Sequence, residues 1–165
     1  MSVKVVKDDV PLLLKAVLAL SREEVIVGIP EGGPPHAGTD VSNAVIGYLM
    51  ETGAPEDNIP QRPFLEPGMD RAKPAMVARL RAGMVAALKD TASLKTAGTA
   101  MHDALADAGA IGTDAVRREM RSGGFAPLSP ATLRKRRSRG NSSTKPLIDT
   151  RELHDAVTHE VRPKR

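Results

Sequence analysis

The run LKTAGTAMHDALADAGAIGTDAVRREM, from Leu94 to Met120, carries Leu94, Met101, Leu105, Ala108, Ile111 and Val116 on one stripe at helical spacing. It predicts a long helix. Its alanines, with Gly98, Gly109 and Gly112, permit close approach of a partner helix, and the same glycines could equally divide it in two. The preceding stretch supplies that partner. Val77, Leu80, Met84 and Leu88 recur at spacings of three and four, which predicts a helix from near Arg71 to Lys89 in which Pro74 fits only the first turn.

Upstream, Glu24 to Pro30 is a β-branched run stopped by glycine and proline and reads as a buried strand, after a weakly alternating strand over Ser2 to Val6 and a helix from about Val10 to Leu20. Glu31 to Asp40 reads as a loop. Ser42 is placed to cap a short helix carrying Val45, Ile46, Leu49 and Met50, with Gly53 at its C-terminal end. Prolines 55, 60, 63 and 67 hold 54–67 as an extended arm and exclude regular helix there. At the other end, Leu153 to Val161 reads as a turn of helix followed by an edge strand. The chain thus reads as one domain over 1–165 of class α+β: a small mixed or antiparallel sheet packed against two long helices and shorter ones, with an extended basic loop.

Composition narrows the chemistry. The 165 residues contain no cysteine, which excludes thiolate nucleophiles and Cys-ligated metals, and their aromatics, 2% of the total, are Phe64, Phe125 and Tyr48. Base-stacking platforms are missing. Leu12 to Leu20, interrupted by Lys15, is too short to span a bilayer, and the charged Met1 to Asp9 is unlike a signal peptide, so no membrane association is expected. Net charge is +4, yet Arg121 to Ile148 alone holds seven basic residues and no acidic one, so the remainder carries −3. Within it, Arg134, Lys135, Arg136, Arg137 and Arg139 place five positive charges in six positions, on a segment, 121–149, too poor in apolar residues to offset its ordering cost. It is expected to be a mobile basic loop that meets a partner.

Catalytic and metal chemistry find little support. There is no G-x-S-x-G, Ser129 and Ser142 lie in the basic segment, and Pro34-Pro35 stands where a phosphate loop needs a helix N-terminus. His102 with Asp103 and Asp107 is the best local metal cluster, but those spacings point in different directions on a helix. His154 and His159 would lie on opposite faces of a strand. No cofactor is implied. Arg62 and Phe64, set among Pro60, Pro63 and Pro67, read as an anchor either in the chain's own core or on the next subunit.

Several segments, taken in order, resemble a family. Val27-Gly28-Ile29-Pro30-Glu31, Ser42-Asn43-Ala44, Ile46-Gly47-Tyr48, Glu51-Thr52-Gly53-Ala54-Pro55 and Ile59 to Gly68 are similar to the start of small tailed-bacteriophage neck and tail-completion proteins, minor tail components related to the lambdoid tail-completion group. The likeness resumes over Pro127 to Arg136 and Lys145 to Leu153. Family members usually carry glycine after the Asp-Thr pair, where this chain has Arg151. The resemblance implies a non-enzymatic virion protein of the head–tail junction, assembled in the host cytoplasm. It implies a ring, hexameric to match the tail tube, in contact with itself and with neighbouring neck and tail-tube proteins; DNA in the channel and acidic protein surfaces are the two destinations open to the basic segment. The alternative from the residues alone is a nucleic-acid-binding module using 133–139. Apolar neighbours from Pro127 to Leu133 and Pro146 to Ile148 favour docking of the basic segment on acidic protein surfaces over DNA.

Overall fold

The structure, a computed structural model, describes residues 18, 21–33, 35, 36, 40–89, 94–122 and 124–164, with the backbone alone at 89 and 94–97. In order these form β1 (Glu23–Gly28), α1 (Asn43–Thr52), a single 3-10 turn (Pro55–Asp57), α2 (Leu65–Lys89), α3 (Leu94–Ser122), α4 (Pro130–Ser138), α5 (Glu152–Ala156) and β2 (Thr158–Pro163). The class is α+β, dominated by helix. The strand expected over 2–6 and most of the helix expected over 10–20 lie outside the described residues.

β1 and β2 pair in a two-stranded sheet. Lys164 N donates to Arg22 O at 2.7 Å and the Arg162 guanidinium reaches Glu24 at 3.0 Å, an antiparallel register. β1 was expected to be buried, but all six of its residues keep partial exposure, because a two-stranded ribbon offers little surface to cover either face.

α1 forms as its local signals dictate. Val45 N donates to Ser42 Oγ at 3.3 Å, and Gly53 closes the helix at φ +74°, its N–H on Leu49 O at 2.8 Å. A Cβ on Gly53 would also sit 2.9 Å from Gln61 N, so the turn requires glycine twice over.

α2 begins six residues before the expected start, and Pro67 falls in its first turn, where a missing N–H costs nothing. Pro74, expected to fit only a first turn, instead lies inside the helix. It is exposed, so water can take the carbonyl left without its donor. The expected buried stripe is also corrected: Val77 and Met84 are exposed, and Ala72, Gly83 and Ala87 are the buried positions. α3 runs unbroken through its glycines, and Gly98 faces open space.

The chain clusters into two compact units, expected from sequence as one domain. One, with described residues 18, 21–26, 74–89, 94–109 and 160–164, has a small core of Ala87, Met101 and Leu105, packed by Val25, Leu80 and Val161. There a Cβ on Gly83 would collide with that of Ala104, so small residues set the helix approach. The other, 27–73 with 110–159, is built on Phe64, Val116, Met120, Leu147, Leu153 and Val157. Here a Cβ on Gly68 would lie 2.7 Å from Val116 Cα, so again the backbones meet over glycine.

Candidate functional site

The proline-rich stretch 54–67 was expected to be an extended arm. It folds back on α1 instead. Ala54 and Ile59 exchange backbone hydrogen bonds at 2.9 Å around the 3-10 turn, Asn58 takes the left-handed conformation, and Arg62 N donates to Met50 O at 2.7 Å. α2 starts after Phe64, which has no side chain able to cap a helix. Glu51 of α1 caps it from a distance: Oε2 accepts from Phe64 N at 2.8 Å and Leu65 N at 2.9 Å, and Oε1 from Glu66 N at 3.0 Å. A carboxylate on three N–H groups at a helix N-terminus is favoured by both hydrogen bonding and the helix dipole. Sequence reading assigned Glu51 no role; the available cue was a helix start lacking any local cap.

Of the two destinations open for Arg62 and Phe64, the structure gives the chain's own interior. Phe64 is 2% exposed at the centre of its core. Arg62, 6% exposed, donates from Nε to Ala126 O at 2.9 Å and from Nη2 to Pro127 O at 3.1 Å, pinning the segment that follows α3. Burial first, and the neighbouring Arg136 guanidinium second, lower its pKa from the ordinary arginine value.

The basic segment expected to be a loop carries helix α4. Ser129 Oγ accepts from Thr132 N at 3.1 Å as the N-cap and Pro130 follows at the first helical position. Arg136 is the reason the rest is fixed. Only 7% exposed, it donates through Nη1 to the carbonyls of Ser143 at 3.3 Å, Lys145 at 2.8 Å and Ile148 at 3.3 Å. Asn141 adds a bond from Nδ2 to Asp149 Oδ1 at 2.6 Å. Arg136 is thus an interior residue, like Arg62 and Phe64. Arg134, Lys135, Arg137 and Arg139 remain exposed, around the end of α4 where positive charge suits the helix dipole. Of the apolar neighbours of the charges, Leu147 is buried and Ile148 packs on the core, while Pro127 stays exposed and Leu128 and Leu133 half-exposed.

Exposed apolar surface lies elsewhere in this unit, on α1, where Val45 is 49% and Tyr48 68% exposed. Arg151 takes φ +70° before α5, a left-handed position where glycine would be unstrained. The histidines go to separate places. His102 pairs with Glu23 at 3.1 Å while Asp107 pairs with Arg79 at 2.5 Å, so the cluster around His102 does not converge. His154 sits in α5 and His159 in β2, not on one strand. His154 holds the Asp155 carboxyl below the usual carboxylate range through a 2.7 Å hydrogen bond, and His159 Nδ1 lies 3.1 Å from Thr113 Oγ1.

Beside α4 a cleft of about 460 Å³ opens, with Ile46, Met50 and Leu147 among its apolar walls and Arg62 and Arg136 among its polar ones. No family model, curated protein or solved structure matches this chain. The functional reading therefore starts from these side chains.

Proposed function

We propose that this chain is a non-enzymatic structural subunit of a tailed-phage neck. It forms a ring at the head–tail junction, needed for tail completion and head–tail joining, with six copies to match a tail tube. The observation that carries the reading is the exposed charge of α4: Arg134, Lys135, Arg137 and Arg139 stand on a helix fastened to the subunit by Arg136. A face held this way loses little entropy on docking and suits a fixed contact in an assembly. The segments that carry the family resemblance supply its supports: the Glu51 cap, the Arg62 bonds and the Ser129 cap. Val45 and Tyr48 on α1 offer a separate apolar surface for a contact between copies.

The same four charges would also meet DNA phosphates, and one experiment separates the two. Arg134, Lys135, Arg137 and Arg139 are replaced together by glutamine, and the variant is assayed for joining of tails to heads and for duplex DNA binding. Joining should be abolished with the melting temperature unchanged, since exposed substitutions of this kind shift stability by about 0.5 kcal/mol or less. Normal joining by the variant overturns the proposal. Loss of DNA binding by the free subunit, with joining intact, favours the nucleic-acid-binding module.

A further inference from the structure

The two buried arginines do more than the fold requires. Arg62 and Arg136 both line the cleft and are more than nine-tenths buried, and the Arg136 charge acts on Arg62. Their hydrogen-bond partners are backbone carbonyls and, for Arg62 Nη1, the Met50 sulfur at 3.9 Å, none of which neutralises charge. Among the described residues Arg62 has no ion pair. All three carbonyl bonds of Arg136 leave through Nη1, and its buried Nε has no hydrogen-bond partner. The nearest carboxylate, Asp149, lies 3.4 Å from that Nε without hydrogen-bond geometry and is already engaged by Asn141. Two buried guanidinium charges with a single carboxylate beside them leave this part of the cleft short of negative charge.

We propose that this cleft binds an aliphatic carboxylate carried on a peptide segment of another protein chain, with the carboxylate at Arg62 and Arg136 and the adjoining apolar side chain on Ile46, Met50 and Leu147. The volume, about 460 Å³, fits such a ligand. Planar guanidinium groups match a carboxylate edge to edge. Charge favours a monoanion: three arginines line the cleft, Arg62, Arg136 and Arg151, against the two carboxylates Asp149 and Glu152, so there is room for one more negative charge. A phosphate dianion would exceed that. The inference stands whether or not the chain is a neck subunit, because it uses neither the exposed face of α4 nor the ring.

The test is a backbone amide NMR titration of the full chain with four probes: acetyl-leucyl-leucine as the free acid, its C-terminal amide, an acetyl-Leu-Glu-Leu amide, and inorganic phosphate. The free acid, the glutamyl peptide, or both should saturably shift the amides of 128, 129, 131, 132 and 147–151, and the uncharged amide should bind roughly tenfold more weakly or worse. Whichever carboxylate binds tighter identifies a chain terminus or an acidic side chain as the source. Removing Arg136 would also remove the carbonyl bonds, so the decisive variant is Asp149→Asn, which keeps an oxygen for Asn141 and removes the competing charge. It should bind the carboxylate probes several-fold tighter. Equal binding of acid and amide, phosphate binding as tight as the peptides, shifts confined to other residues, or no tightening in Asp149→Asn would each overturn the proposal.

Discussion

Arg136→Met should lower the melting temperature by roughly 10 °C, although its place in a basic run would put it on the surface. Methionine keeps most of the apolar stem but none of the donors. The carbonyls of Ser143, Lys145 and Ile148 then lose the guanidinium that gathers them at 2.8 to 3.3 Å. A buried acceptor left without a partner costs about 1–3 kcal/mol. With water recovering part of three such losses, about 3–5 kcal/mol should go, and amide protection over 139–149 should fall first. Arg137→Met, one residue along and exposed, is the control and should melt with the unaltered protein. If the two variants melt together, the carbonyl bonds do not fix this segment.

The second large effect is expected at Phe64. Truncation to alanine removes the largest fully buried side chain and leaves a cavity among Val116, Met120, Leu147, Leu153 and Val157. Core truncations of this kind cost about 3–5 kcal/mol, the spread reflecting how far the neighbours collapse. The Glu51 cap survives, because it holds backbone N–H groups, so α2 should still start at Leu65. Urea unfolding should show the midpoint falling while its slope is kept; a midpoint unchanged in Phe64→Ala would mean the ring is not an anchor.

What was legible in the sequence follows the range of the forces involved. α1 could be read because Ser42 and Gly53 act within four residues of the groups they cap. α3 could be read because its stripe recurs from Met101 to Val116, about four turns. The start of α2 could not, because its cap, Glu51, lies 13 residues upstream of Phe64. Its buried stripe was misplaced because the helix contact is made by Gly68, Ala72, Gly83 and Ala87, and periodicity favours large apolar residues over small ones. The candidate site divides the same way. The exposed charges of Arg134, Lys135, Arg137 and Arg139 were readable as surface. Arg62 and Arg136 were not readable as interior, since nothing in a basic run tells which guanidinium will find carbonyls. For α4 the Ser129-Pro130 start was a helix signal that composition outweighed.

Because backbone carbonyls supply most of the partners of the two buried guanidiniums, dissolved salt is a selective reagent. Ions screen the fields of exposed charges within about 10 Å at 0.1 M, and shorter distances at higher concentration, but they reach a buried guanidinium bonded to neutral oxygens far less. Raising ionic strength should therefore strip whatever sits on Arg134, Lys135, Arg137 and Arg139 while leaving Arg62 on Ala126 and Arg136 on Lys145. On the proposed neck reading, a subunit should leave its neighbours in concentrated salt still folded, and rejoin them when the salt is diluted.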